Sequence, residues 1–184
     1  APQALAPDAA WVLMHQLGSM GQQVKTAAQP PVPSAAAAIS ADEMAAALNL
    51  QLPTDLDPDL LHSFYQEAPQ QSRALVGLVQ SLMQAEATPT RGEQLAQAQR
   101  LAHTLKGTGA IFGLRGLVSI AHPLEDIFEQ LKAASASPPP HLPQLLNTAL
   151  EAAYCLEQMV AAVVGQDEVP TQAAAVLQKL WQAQ

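Results

Sequence analysis

His103 and Lys106 stand three residues apart in the run RLAHTLKGTGAIFGL, residues 100–114. On a helix that spacing puts both on one face. Gly107 comes four residues after His103 and Ala110 seven after, so the imidazole has small neighbours toward the C-terminal side. A glycine inside a helix costs about 1 kcal/mol relative to alanine. Gly107 and Gly109 beside an exposed His–Lys pair therefore point to a surface kept low so that something large can approach. Further along, His122 and Glu125 repeat the three-residue spacing. If the two helices pack antiparallel, this second pair faces the His103 region. A carboxylate that accepts from Nδ1–H fixes the tautomer, leaves Nε2 as the nucleophile and raises its basicity. The charges agree. Between Glu93 and Glu125 there is no acidic residue, but there are Arg100, Lys106 and Arg115. Such a basic patch can steer an acidic partner or stabilise a transferring phosphoryl group.

The elements that hold these groups read as helices. Asp57 can cap a helix that has Pro58 at its first position. Its stripe is Leu61, Phe64, Ala68, Leu75, Leu78 and Leu82, with a mild kink expected at Pro69. Thr90 and Glu93 make a capping box for the next helix. That helix buries Leu95, Ala98, Ala102, Leu105, Gly109 and Phe112, and Gly113 can end it. A third helix shows Leu114, Leu117, Ile120, Leu124, Ile127 and Leu131. Pro123 lies inside it and is expected to distort the turn before Glu125. After a turn over 133–140, a fourth helix carries Leu142, Leu145, Ala149, Leu156, Met159 and Val163. Four consecutive helices with narrow apolar stripes predict an all-α chain, an antiparallel four-helix bundle. The bundle is expected over 55–165 and a C-terminal helix over 166–184. The expected 1–54 segment holds a helix at 8–27, a Pro/Ala-rich linker at 28–39 and a short helix capped by Ser40 and Glu43. Residues 9–17 faintly resemble 173–181, as if the first helix were the tail of a similar domain.

Composition sets the outer bounds. The 184 residues fit one domain with appended segments. One cysteine, Cys155, excludes an internal disulfide and favours a reducing compartment, the cytoplasm. A net charge of −8 with 13% charged residues argues against a general nucleic-acid binder. No apolar run approaches the roughly 20 residues of a membrane span, and no signal peptide is evident. The chain begins with Ala rather than Met and reads as an excised piece. Phosphate-binding glycine loops are lacking, so ATP chemistry must come from a partner.

The segment around His103 resembles the histidine-containing phosphotransfer (HPt) domain, in particular the version found in chemotaxis-type sensor histidine kinases. The resemblance rests on H-x-x-K-G at His103, Lys106 and Gly107, on Ala110, Phe112, Gly113 and Leu114, and on A-H-x-L-E at Ala121, His122, Leu124 and Glu125. The acidic start DPDLLHSFYQEA, residues 57–68, continues it, and the whole covers roughly residues 55–165. The resemblance implies that His103 is phosphorylated, that Lys106 helps hold the phosphoryl group, and that Glu125 orients the imidazole with His122 in support. It implies that Gly107 lets a partner come close, with Arg100, Ala110 and Arg115 on the partner-binding face. The implied partners are a response-regulator receiver domain and a histidine kinase catalytic domain, which bring the Mg²⁺. The chain itself binds no cofactor in this reading and is a monomer within a multidomain kinase.

Rival readings stay open. One is a helical docking domain that binds receivers or neighbouring domains without carrying phosphate. Another is zinc on His103, His122 and Glu125, which Lys106 and Arg100 disfavour by their charge. His15, His62 and His141 read as surface residues, and Cys155 as a core residue.

Overall fold

Pro58 and Pro89 each open a long helix, because their fixed φ suits the first helical turn and that turn has no use for their missing N–H. The structure is a computed structural model that describes residues 40–84, 89–134, 139–165 and 167–183. Six helices form among these residues, and no strand. They are α1 (Ala41–Ala47), α2 (Pro58–Gln84), α3 (Pro89–Ile111), α4 (Arg115–Ala133), α5 (Leu142–Gly165) and α6 (Ala173–Gln182). The expected helix at 8–27, the linker at 28–39 and the likeness of 9–17 to 173–181 all involve positions outside the described residues.

Caps set most of the boundaries. Ser40 Oγ accepts from the Glu43 amide and Glu43 returns a bond to the Ser40 amide, so the expected capping box opens α1. Asp57 Oδ1 accepts from the amides of Asp59 and Leu60 and caps α2. The box expected at Thr90 and Glu93 does not mark the start of α3. Pro89 already occupies the first helical position, which puts Thr90 inside the first turn. Gly113 ends α3 with φ +67°, a conformation that glycine adopts at little cost. Leu114 N–H bonds back to Gly109 C=O at 2.8 Å and Gly113 N–H to Ala110 C=O at 3.3 Å, the paired bonds of a Schellman ending. Two residues later α4 begins. The prolines inside helices do not break them: α2 runs through Pro69 and α4 through Pro123.

Helices α2, α3, α4 and α5 pack as a closed ring of four, each against its two neighbours. Gln99 of α3 meets Lys132 of α4, His103 meets Glu125, and Gly109 lies against Leu117. Numbers rise along α3 as they fall along α4, so the two are antiparallel. The expected all-α antiparallel bundle is the fold. Leu75, Leu105, Leu117, Leu124, Phe128 and Leu156 are fully buried at its centre. The predicted stripes fill this core, except that Leu61, Leu78 and Leu142 reach only its margin. A close approach makes the α3–α4 pair special. A Cβ on Gly109 would lie 2.9 Å from Leu117 Cβ and 3.1 Å from Val118 Cγ2. Gly109 therefore serves helix packing and not a lowered outer surface, which corrects half of the glycine reading. Gly107 fits that reading, since a Cβ there meets nothing within 4 Å.

Two flanking pieces among the described residues, 40–57 and 167–183, join the same compact unit. Helix α1 and the residues after it pack on α4, while α6 packs on α4 and α5. The expected 1–54 segment therefore divides, because 40–54 belong with the bundle. The expected separate helix at 166–184 is likewise part of the unit, with Ala173, Leu177 and Leu180 completely buried.

Candidate functional site

His103 lies on α3 between Ala102 and Leu105, whose side chains are buried. Its own position is turned about one hundred degrees from Ala102, out of the core. The ring is 67% exposed. Glu125 lies on α4 next to buried Leu124 and only 16% exposed, at the seam between the two helices. Across that seam Nδ1 of His103 is 2.8 Å from Glu125 Oε1. Lys106, one turn after His103, places Nζ 2.5 Å from Glu125 Oε2. That oxygen is shielded from solvent, and Lys106 holds it at short range.

The electrostatics of Glu125 follow from these contacts. Desolvation at the seam works to raise its pKa. Hydrogen bonds from Lys106 and His103, then the charges of the same two groups, outweigh it and hold the carboxyl below its ordinary value. The carboxylate is thus ionised at neutral pH and can only accept. His103 Nδ1 must then carry the proton that lies between them. In the neutral ring, Nε2 is left with the lone pair, on the far side of the imidazole from Glu125. The arrangement can do nucleophilic chemistry at one defined atom on an open helix face.

The structure brings His103, Lys106 and Glu125 together. It does not bring His122 into that cluster. His122 Nε2 lies 4.0 Å from Asp126 Oδ2, one turn along the same helix, and the ring is 46% exposed. Its acidic partner at that distance is its own i+4 neighbour, a local pairing that the three-residue spacing to Glu125 hides. The three ligands of the zinc alternative do not converge, and no group of three metal-ligating side chains gathers among the described residues.

The basic patch is also redistributed. Lys106 is committed to Glu125. Arg100 is exposed one turn before His103. Arg115 is exposed at the start of α4, ten residues and about 15 Å along the axis from the level of Glu125. Arg115 thus flanks the Gly113 corner, not His103. Half-buried Gly107 and exposed Ala110 leave a low strip along α3 beyond the imidazole, and Ile111 at its end is 62% exposed. Ile111 was missed by the sequence reading, though its position eight residues after His103 could have placed it on that side. His62 and His141 are exposed as expected, while His15 lies outside the described residues. Cys155 is buried in the core, and burial pushes its thiol up to about 11.

Residues 59–166 match the family described as Hpt domain. The chain is also similar to the chemotaxis protein CheA of Listeria monocytogenes serovar 1/2a and of Listeria innocua serovar 6a, 29% identical to each over 90 residues. That stretch is 49% of this chain and only 14% of either relative. No solved structure matches the chain at a significant level. The family match takes in more than half of the chain and all four residues of the two His-centred pairs, and the chain belongs to the Hpt domain family, the histidine-phosphotransfer modules of two-component phosphorelays.

Proposed function

We propose that His103 Nε2 accepts a phosphoryl group and passes it to an aspartate of a response-regulator receiver domain. One observation carries the reading. His103 presents a largely exposed ring whose Nδ1 is tied to an ionised Glu125 at 2.8 Å. That bond selects the ring nitrogen that reacts and holds the ring in one orientation before a partner arrives.

In the accepting step the Nε2 lone pair attacks phosphorus in line. The N–P bond forms, and the bond from phosphorus to the donor oxygen breaks with its electron pair leaving on the donor. No proton leaves His103, because Nδ1–H stays in place. The ring gains positive character, which Glu125 stabilises at contact distance. In the second step a receiver carboxylate attacks the same phosphorus. The N–P bond breaks and its pair returns to Nε2. Phosphoryl transfer is mainly positioning and electrostatics, so a rigid helix is a sufficient scaffold for the nucleophile. Lys106 acts first on Glu125, the group it touches. Holding the phosphoryl group would require its ammonium to turn outward or to be shared. Mg²⁺ belongs to the donor and receiver in this reading.

The low strip of Gly107 and Ala110, with exposed Arg100, is the approach route for a partner. The donor is a kinase domain carrying ATP or a receiver carrying an aspartyl phosphate. Similarity to a chemotaxis protein favours a place in a multidomain sensor kinase that works in the cytoplasm, with this piece monomeric. Incubation with phosphoramidate, then intact mass and acid treatment, tests the core of the reading. Wild type is expected to gain one acid-labile phosphate and His103→Gln none. Equal labelling of both chains would remove His103 from the mechanism. A wild type that stays unlabelled with phosphoramidate, kinase and phosphorylated receiver alike would favour the docking domain.

A further inference from the structure

Residues 44–50 hold down the start of α4, the helix that carries Glu125. Leu114 at the N-cap has no side-chain oxygen to offer, so the first-turn amides of α4 need another acceptor. Asn49 supplies one: its carbonyl accepts from Gly116 N–H at 2.8 Å. One turn on, Ser119 Oγ donates to the Ala47 carbonyl at 2.8 Å. Met44, Leu48 and Leu50 are buried in the same seat. Gly116 makes the seat possible. A Cβ there would lie 2.7 Å from Leu48 O and 2.8 Å from Leu50 Cδ2, nearer than two such atoms approach.

Pro123 gives this contact its meaning. Proline has no N–H, so the Ser119 carbonyl loses its helical donor. The first half of α4 is therefore joined to the half with Glu125 by one hydrogen bond fewer. The strap grips α4 on the N-terminal side of that weak point, through Ser119 itself. The family match begins at residue 59, so the strap lies outside the stretch that defines the family.

We propose that Gly116 and Ser119 are positioning residues: they seat residues 44–50 on α4 and so hold Glu125 against Nδ1 of His103. The inference rests on the reading of His103 as phosphoryl acceptor, and it adds an element beyond the bundle to the parts that set the site.

Full-length Gly116→Ala is the direct test. Alanine is the better helix former, so a change confined to α4 stability would strengthen the helix. Its Cβ collides instead with strap backbone. Ser119→Ala removes one seat bond without adding bulk, and serves if Gly116→Ala does not fold. Ser119→Thr keeps the hydroxyl. Amide exchange of residues 44–50 reports the strap. The nitrogen shifts of the His103 ring report the Nδ1–H tautomer, and phosphoramidate labelling reports the rate. Gly116→Ala and Ser119→Ala are expected to lose protection at 44–50 and to mix the His103 tautomers. Their labelling should fall about tenfold, by analogy with the loss of an outer-shell partner at a metal-bound imidazole, with Ser119→Thr near wild type. Strap release with unchanged tautomer shifts overturns the proposal, and so does a Gly116→Ala chain whose strap stays protected. The ring shifts need no phosphate. A wild type that never labels thus sinks the phosphotransfer reading, while the tautomer populations still decide the positioning claim.

Discussion

Replacing Glu125 with Gln keeps an oxygen near His103 but removes the charge that orders its neighbours. Gln can also present its amide N–H₂, which competes for the wrong face of Nδ1. Phosphate acceptance by Glu125→Gln is expected to fall about 10- to 100-fold, by analogy with the loss of a carboxylate that orients a metal-bound imidazole. Timed phosphoramidate labelling measures it. The pH dependence has a definite sign. The Glu125 carboxyl is held below its ordinary value of 4.5, so its contribution to stability is complete above pH 4.5 and is lost as the pH falls through the lower folded value. Denaturant melts of wild type and Glu125→Gln should therefore differ more above pH 4.5 than well below it. At this scale the sequence was informative for three residues. His103, Lys106 and Glu125 were legible because one pair sits a single helical turn apart and the other member lies on the next helix. His122 was not. Its three-residue spacing to Glu125 and its four-residue spacing to Asp126 place it near two carboxylates, and only the rotamer chooses between them.

Glycines in α3 separate two demands on one helix. Gly109 lets α3 approach α4 closely enough for His103 to reach Glu125, whereas Gly107 faces open space. Gly109→Ala must push against Leu117 and Val118, and is expected to destabilise the fold by about 1–3 kcal/mol, as overpacking does. Gly107→Ala meets no obstacle and should stabilise α3 by up to about 1 kcal/mol while narrowing the approach to His103. Urea melts of the two variants should therefore move in opposite directions. Periodicity showed that Gly109 faces inward, but not that its neighbour would be Leu117 at van der Waals limit. That distance depends on the partner helix, which no local pattern encodes. The same cause explains Thr90. A capping box can be written in the residues, yet Pro89 fixes φ one position earlier and takes the helix start.

The whole molecule is larger than its bundle. Segments on both sides of the family match are packed into the unit, and their sequences did not announce it. Residues 47–57 carry one proline, Pro53, and join the short helix to the bundle. Their role rests on backbone carbonyls at Ala47 and Asn49, and side-chain patterns are blind to those. Helix α6 was legible as a helix but not as core, because ten residues show amphipathicity without showing what they cover. Leu177 is fully buried there. Leu177→Ala is expected to cost about 2–5 kcal/mol, close to a bundle leucine. A thermal melt that matches wild type would make α6 a loose appendage.

The single thiol gives the fold a built-in clock. Cys155 sits in the core with its ionisation pushed up to about 11, and the chain has no other cysteine. Thiolate is the form that alkylating reagents attack, so a folded chain should be almost inert to them at neutral pH. Each alkylation event then records one opening of the bundle. Followed by mass spectrometry on chains that do and do not carry phosphate, its rate reads how far the acceptor's charge state changes the lifetime of the closed molecule, with no label and no added probe residue.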